Sequence, residues 1–470
     1  MKRLVSTGGL VRRAGALALA LSLGACAPAV KVPTLPDTVP QQWRTSPAPT
    51  DAALGPAPDL QTWWHAFNDP TLDRLIERAL AQNLNVEQAQ LRLRGARALQ
   101  HRASTKFNPQ VSFHTFAEPD PNGSTSYFEV GFDALWEFGF FGRGLANERM
   151  AAADALTAET DLVAARVSVT AEVARSYSDL RAAQARAAVL DEIVAVRRER
   201  IRLAETLLSL RLGTQAEVYR AQAEVAQAVA DASEPQAAIV QAQEALSVLL
   251  AQDTPDADIT ATGPPLRLPP LAVAQTPADL LRTRPEIRRA ELNVLRAAGE
   301  LGLARADLYP KLALGGSLTS STRMVGDIDH PNKAIPAFGP VIDFPIFDWG
   351  ARRDMFDARD AALSAAVLAY RQSVLEGVGE AESALAQLQR QQQRLRGNQD
   401  VVTALERAAG STRHLQEFGL ADNAEIAAAG VAAAQARLEQ TQATHELNLA
   451  FIALYKSFGG ALPPLQPEAP

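Results

Sequence analysis

The chain has 470 residues, 46 Lys and Arg against 53 Asp and Glu, a formal charge of −7 and a single cysteine. That balance excludes the clustered positive charge with which a nucleic-acid binder neutralises phosphates. The lone cysteine excludes an intramolecular disulfide and a paired-thiol zinc site, so stability must come from packing and assembly.

Met1-Lys2-Arg3 and Arg12-Arg13 make a basic start, Ala14–Leu23 is apolar, and Leu23-Gly24-Ala25-Cys26 follows. The apolar run is too short to span a bilayer and has the layout of a secretory signal. Leu23-Gly24-Ala25-Cys26 resembles the lipobox of bacterial lipoproteins, which implies a signal peptide over 1–25 and lipid on Cys26. An ordinary signal with a chance cysteine is the plainer alternative. Ala27 in place of Asp implies sorting to the outer membrane. Without Met1–Ala25, which holds four basic residues and no acidic ones, the charge becomes −11. Ala27–Pro58 contains eight prolines and little hydrophobic pattern. Residues 26–58 therefore read as an extended, lipid-anchored, Pro-rich tether.

The body is a tandem duplication, rare enough to decide the architecture. The first structural repeat, 59–251, is expected to hold strands at about 110–116 and 126–138 and long helices at 145–212 and 214–251. A Pro-rich linker, 252–276, leads to the second repeat, 277–460. Its expected strands lie at about 311–320 and 335–346, and its helices at 351–418 and 422–458. Residues 461–470 form a tail. Matching landmarks recur about 200 residues apart: Asp69-Pro70 with Thr276-Pro277, Phe141-Gly142-Arg143 with Trp349-Gly350-Ala351-Arg352, and Leu212-Gly213 with Phe418-Gly419.

Leu145–Leu212 contains no Gly or Pro and is dominated by good helix formers. At 1.5 Å per residue it would reach roughly 100 Å, against a radius of gyration of about 23 Å for a compact globule of this length. Such a helix belongs to a coiled coil or a helical tube. In the second repeat Gly377, Gly379, Gly397 and Gly410 weaken the equivalent helix by about 1 kcal/mol each relative to Ala. Pro235 predicts a kink or break in the first return helix. Leu212-Gly213-Thr214 and Phe418-Gly419-Leu420 read as helix–helix turns with Gly just past a helix end.

The strand windows alternate with period two. Phe128, Val130, Phe132, Ala134, Trp136 and Phe138 face away from Glu129, Asp133 and Glu137. Leu312, Leu314 and Leu318 oppose Ala313, Gly315 and Ser317, and Phe338, Ile342, Phe344 and Ile346 oppose Gly339, Val341 and Asp343. Windows of this length bracket the roughly 9–11 residues with which a tilted strand crosses a bilayer. An apolar outer and a polar inner face fit a water-filled barrel. A small soluble sandwich is the rival. Polar loops near Asp120–Thr125 and Gly326–Lys333, and attachment to long helices, favour the barrel. Pro340 and Pro345 are expected near strand ends or unpaired positions. Four strands cannot close a membrane barrel, and open edges are forbidden in lipid. The barrel must be shared between chains, and a threefold ring supplies twelve strands.

Several segments resemble the outer-membrane efflux factor family, the TolC-like channels, particularly their NodT-type lipoprotein branch. These are the opening helix Trp63–Ile76, the junction Trp136–Arg143, Leu281–Glu291 at the start of the second repeat, Ala306–Leu312 and Pro345–Gly350. Together the matches span Trp63 to Gly460. The resemblance implies a mainly α fold, with a homotrimeric twelve-stranded β-barrel continuous with a periplasmic α-helical barrel. It implies the exit duct of a tripartite efflux pump in the outer-membrane lipid, docking a periplasmic adaptor and an inner-membrane transporter. The helix-turn tips Leu212, Gly213, Thr214, Phe418, Gly419 and Leu420 would meet the adaptor. Glu217, Tyr219, Asp422 and Glu425 are the candidate periplasmic aperture. Here the chain departs from the family pattern, because Ala428 stands where Asp is customary and Tyr219 where Asp is frequent. The remaining carboxylates either form an acidic, cation-favouring constriction or are helix-start carboxylates favoured by the dipole.

An enzyme finds little support. His65, His101, His114, His330, His414 and His445 are dispersed, Gly315-Gly316 lacks the phosphate-loop Lys and Ser/Thr, and no cofactor or metal site is expected. A lipid-anchored periplasmic adaptor or coiled-coil structural protein is the closer alternative, although adaptors usually carry one helical hairpin and this chain has two.

Overall fold

A computed structural model describes residues 30–35, 44, 59–118, 127–269, 284–323 and 334–459. Cys26, the expected loops at 120–125 and 326–333, Thr276-Pro277 and the tail lie outside the described residues. A 3-10 turn, Trp63–Phe67, precedes α1 (Pro70–Gln82) and α2 (Leu84–Thr105). Then come β1 (Gln110–Glu118), β2 (Tyr127–Glu137), α3 (Arg143–Ser209), α4 (Gln215–Asp231), α5 (Ser233–Leu249) and the short α6 (Ala257–Thr260). The second half contributes α7 (Pro285–Ala306), β3 (Lys311–Arg323), β4 (Ala334–Asp343), α8 (Ala351–Glu417) and α9 (Asn423–Phe458).

The chain forms two compact units that cut across the repeats: Met1–Asp37, Arg92–Glu159 and Arg289–Gln372 make the first, and Thr38–Leu91, Thr160–Arg288 and Ser373–Pro470 the second. The first unit carries an antiparallel sheet in the order β1-β2-β3-β4. Its central pairing, β2 with β3, joins the two repeats through a register that sets Phe132 opposite Leu318 and Trp136 opposite Leu314. Beside the sheet, α3 and α7 approach closely at glycine. A Cβ on Gly299 would lie 2.7 Å from Met150 Cγ and 3.0 Å from the Ala146 carbonyl. Val294, Ala298, Leu301 and Leu363 form the small core here, with Val30 and Leu35 of the tether packed on it.

The second unit holds the larger core. Leu72, Leu75 and Ile76 of α1 are fully buried with Val173, Tyr177 and Leu180 of α3, Leu246 of α5 and Phe451 and Leu454 of α9. Trp63 stacks on Tyr455 at 5.7 Å and meets Phe451 edge-on at 5.9 Å. Asp69 caps α1 by accepting from the Thr71 and Leu72 amides at 2.8 and 3.1 Å. Its other oxygen accepts from the Tyr177 hydroxyl at 3.1 Å, and Arg181 donates to that hydroxyl at 2.8 Å. Burial pushes the Tyr177 phenol up, with the Arg181 hydrogen bond opposing it.

Four expectations need correction. The opening segment is two elements, because Asn68 adopts a left-handed φ of 48° and Asp69 starts a new helix. The break expected at Pro235 in the return helix 214–251 does occur, but earlier, at Ala232, which divides it into α4 and α5. The break lies three residues before Pro235, so that proline falls in the first turn of α5, where its missing N–H has no helical partner to lose. Pro340 is not at a strand end. Pro336 and Pro340 pair with Leu318 and Leu314 inside β4. Among the described residues only β3 flanks β4, and such an edge strand uses every second N–H in its ladder. Pro345 lies past the strand. Finally, the first hairpin turns on Arg211 (φ 60°), not on Gly213, whereas Gly419 does adopt φ 70° in the second. The four glycines of α8 leave it continuous over 67 residues.

Candidate membrane sheet and hairpin tips

The register divides the sheet into two chemically distinct faces. On one face Phe113 sits opposite Phe132, with ring centroids 5.2 Å apart, and Leu314, Leu318, Phe338 and Ile342 continue it across β3 and β4. Phe113, Phe132, Leu318, Phe338 and Ile342 are open to the surroundings, Phe338 by 80% and Ile342 by 62%. Contiguous exposed apolar surface of this extent marks a face that meets lipid or another chain. The opposite face carries Ser112, His114, Glu129, Asp133, Glu137, Ser317, Thr319 and Ser321. There His114 Nδ1 lies 3.0 Å from Asp133 Oδ2. Gly131 makes the room: a Cβ on it would stand 3.1 Å from His114 Cε1 and 3.0 Å from the Leu318 carbonyl. Phe116 and Leu135 also fall on this side, so it is mixed rather than wholly polar.

Each strand pair leaves the sheet through the same backbone device. Phe141 and Gly142 have φ of 58° and 82°, and Trp349 and Gly350 have 58° and 86°. Two successive left-handed residues turn the chain sharply, which suits Gly at the second position and strains the aromatic at the first. Stacking holds that aromatic in the first repeat, where Phe141 lies on Tyr309 at 5.0 Å. Trp136 donates its indole N–H to the Phe107 carbonyl at 2.8 Å, tying the end of β2 to the start of β1. Arg143, buried at the first turn of α3, reaches Asp307 at 2.8 Å, Glu137 at 3.8 Å and the Ala306 carbonyl at 3.2 Å. It clamps the two repeats together below the sheet. The sequence displayed Arg143 beside the aromatic-Gly pair, but no local signal distinguished it from the other arginines.

At the hairpin tips Leu212, Phe418 and Leu420 are exposed, as are Leu210 and Tyr219. Leu212 N–H donates to the Leu207 carbonyl at 2.8 Å, and Leu420 N–H to Leu415 at 3.0 Å. Gly213 adjoins Glu217, whose carboxylate a Cβ would approach to 3.2 Å. Both candidate aperture glutamates close capping boxes. The Thr214 N–H donates to Glu217 at 2.7 Å and the Glu217 N–H returns to the Thr214 hydroxyl. Asp422 and Glu425 repeat the arrangement at 3.1 and 2.7 Å. The backbone hydrogen bond from Thr214, and then its side chain, hold the Glu217 carboxyl below its usual range. Tyr219 projects from the next turn. No hydrogen bond or ion pair among the described residues links the two tips to each other.

Two ties between the hairpins were not anticipated. His445 of α9 bridges Asp179 Oδ1 at 3.1 Å and Ser178 Oγ at 3.2 Å on α3, and Arg437 of α9 reaches Glu192 at 2.7 Å. Such pairs are 200 residues or more apart, and only the packing of α9 on α3 reveals them. Among the described residues no group of His, Cys, Asp and Glu is arranged to hold a metal ion. Among the described residues no helix is long and apolar enough to cross a membrane, which says nothing about the sheet.

Comparison with known proteins adds to this geometry. The family model described as outer membrane efflux protein matches residues 75–252 and 276–460. Nodulation protein T of Rhizobium leguminosarum bv. trifolii is 28% identical over 342 residues, 70% of this chain and 72% of that protein. Outer membrane protein OprJ of Pseudomonas aeruginosa is 30% identical over 390 residues, 79% of each. The solved outer-membrane channel OprN superposes with a TM-score of 0.80 at 28% identity, covering 93% of this chain and 99% of that one.

Proposed function

This chain belongs to the outer membrane efflux protein family, and we propose that it is the exit duct of a tripartite efflux pump, passively conducting what an inner-membrane transporter drives. The observation that carries the reading is the sheet. Its apolar and polar faces suit a wall between lipid and water, yet four strands close no barrel. Three copies supply twelve strands, and a cyclic homotrimer closes the ring. Below it, the long helices of three copies form the periplasmic tube. Cys26 carries the lipid that anchors each copy to the outer membrane.

The periplasmic partners are an adaptor and, through it, the transporter. Leu212, Gly213 and Thr214 with Phe418, Gly419 and Leu420 form the docking tips, whose exposed apolar side chains suit a protein partner. Glu217, Tyr219, Asp422 and Glu425 line the aperture, where threefold repetition concentrates negative charge and favours cations. The chain does no chemistry of its own.

The direct test extracts the full chain from outer membranes and places it in planar bilayers. The expected result is an oligomer of three copies that resists mild detergent and gives stable conductance. A protein that becomes fully soluble once its lipid is removed, with no conductance, overturns the reading. Glu425→Ala is expected to reduce cation selectivity, and unchanged selectivity removes Glu425 from the aperture. Cys26→Ala is expected to abolish palmitate labelling.

A further inference from the structure

The mouth of the first unit offers a site that the duct function does not use. The last turns of α7 and the first turns of α3 flank a small cleft, open to solvent, lined by Val30, Phe141, Leu145, Arg149, Ala298 and Arg305. Both helix ends adjoin the sheet: α3 follows β2 after five residues, and α7 precedes β3 after four. The cleft therefore lies at the level where the apolar face of the sheet ends and the aromatic cluster Phe138, Phe140, Phe141 and Tyr309 begins. Aromatic residues at that position mark a membrane–water boundary.

Among the described residues, two cations face this cleft without carboxylate partners. Arg305 forms no ion pair among the described residues, and the neighbouring Asp307 is taken by Arg143 at 2.8 Å. Arg149 spends one N–H on the Val30 carbonyl at 2.6 Å, while its Nε is buried with no hydrogen-bond partner. Leu145, 40% exposed, and Phe141 supply an apolar rim. A guanidinium pair beside apolar surface at a bilayer boundary matches a phosphodiester carrying acyl chains, because each Arg presents a fork of donors to phosphate oxygens. Val30 is four residues from Cys26, so chain length alone keeps that cysteine's Cα within about 14 Å of Val30, and a lipid attached there would enter the same leaflet.

We infer that Arg149 and Arg305 bind the headgroup phosphate of an anionic phospholipid in the periplasmic leaflet, at the seam where α3 of the first repeat meets α7 of the second. The headgroup rests on the cleft and its chains run up the apolar sheet face. This site rests on the reading of the sheet as membrane-embedded. It also gives Arg305 a role beyond complementing the dipole at the end of α7.

The test reconstitutes the full chain in vesicles of phosphatidylcholine with 20 mol% (about one lipid in five) phosphatidylglycerol. After gentle re-extraction, co-purifying lipid is counted by native mass spectrometry. Enrichment of phosphatidylglycerol is expected for the wild type. Arg305→Gln should lower it about fivefold, the share of one basic residue near an anionic surface, while Arg305→Lys should keep most of it. Arg390→Gln, a surface change in α8, should leave it unaltered. Equal enrichment in wild type and Arg305→Gln overturns the inference, as does an equal loss in Arg390→Gln. Competition by millimolar inorganic phosphate would show a free-anion site and overturn it too. Conductance recorded on the same vesicles separates the two ideas: a conducting duct without lipid preference sinks only the lipid site, whereas failure to insert sinks the duct.

Discussion

The face assignment of the sheet can be tested with one pair of substitutions. Strand β2 has 11 residues, and Phe132 is its middle one. At about 3.4 Å per residue the strand is about 37 Å long, and a tilt of about 45° reduces its rise to roughly 26 Å. That matches the apolar band of about 25 Å in outer-membrane barrels, so in the proposed barrel Phe132 falls near the bilayer midplane. An arginine there costs about 2–4 kcal/mol per chain, or about 6–12 kcal/mol over the three equivalent positions of the proposed trimer. Loss of the Phe113 ring contact adds about 0.5–1.5 kcal/mol per chain, which Phe132→Ala measures separately. Ser317 is one strand away on the opposite face, directly across from Asp133, so an arginine there gains a carboxylate neighbour in water. Urea unfolding from vesicles should therefore show Phe132→Arg far less stable than Phe132→Ala, and Ser317→Arg close to wild type. If Ser317→Arg costs as much as Phe132→Arg, the two faces do not divide lipid from water and the barrel argument fails.

Three further outcomes follow from the geometry. Phe451→Ala removes a fully buried ring packed on Trp63, Phe67 and Tyr455, and should lower stability by about 3–5 kcal/mol in denaturant titration. Gly459→Ala should lower the thermal midpoint more than Gly350→Ala. Both need a left-handed backbone, costing about 1–2 kcal/mol, but at Gly459 the new Cβ would also stand 2.7 Å from Arg284 Cα and Pro285 Cδ, while Gly350 has open space. The Glu217 carboxyl sits below its usual value of 4.5, so its contribution to the first hairpin tip is present above that pH and is lost as pH falls through the lowered value. Hydrogen exchange at the Thr214–Val218 amides should therefore quicken as pH drops from 6 to 3 (roughly the range spanning carboxylate titration) relative to Glu217→Gln, and parallel profiles would refute the cap.

Much of the fold was legible because local signals agreed with one another. Alternation at Phe128–Phe138 located β2 within a residue at each end, and the absence of Gly and Pro located α3 within three. Aromatic-Gly pairs marked both strand-to-helix turns. Reading failed where one local cue had two outcomes. Pro235 announced a break, but the helix ended at Ala232 so that proline could occupy a first turn. Gly213 looked like the residue that turns the hairpin, yet Arg211 accepts the left-handed conformation and Gly213 instead makes space for Glu217. The acidic tip residues were readable either as aperture or as helix-start groups, and the capping boxes show the second role without removing them from the first.

By itself the sequence determined the duplication, most of the secondary structure and the alternating faces, since these depend on interactions within a few residues. It also dictated that a single chain leaves its sheet open. Tertiary structure alone decided that the compact units are not the repeats. Each unit takes matching pieces of both, because β2 pairs with β3 and α1 packs beneath α9, contacts made across hundreds of residues. The same long-range packing set Arg143 between Glu137 and Asp307, and His445 against Ser178 and Asp179. No periodicity encodes such partners, because burial and charge pairing act on distance in space and not along the chain.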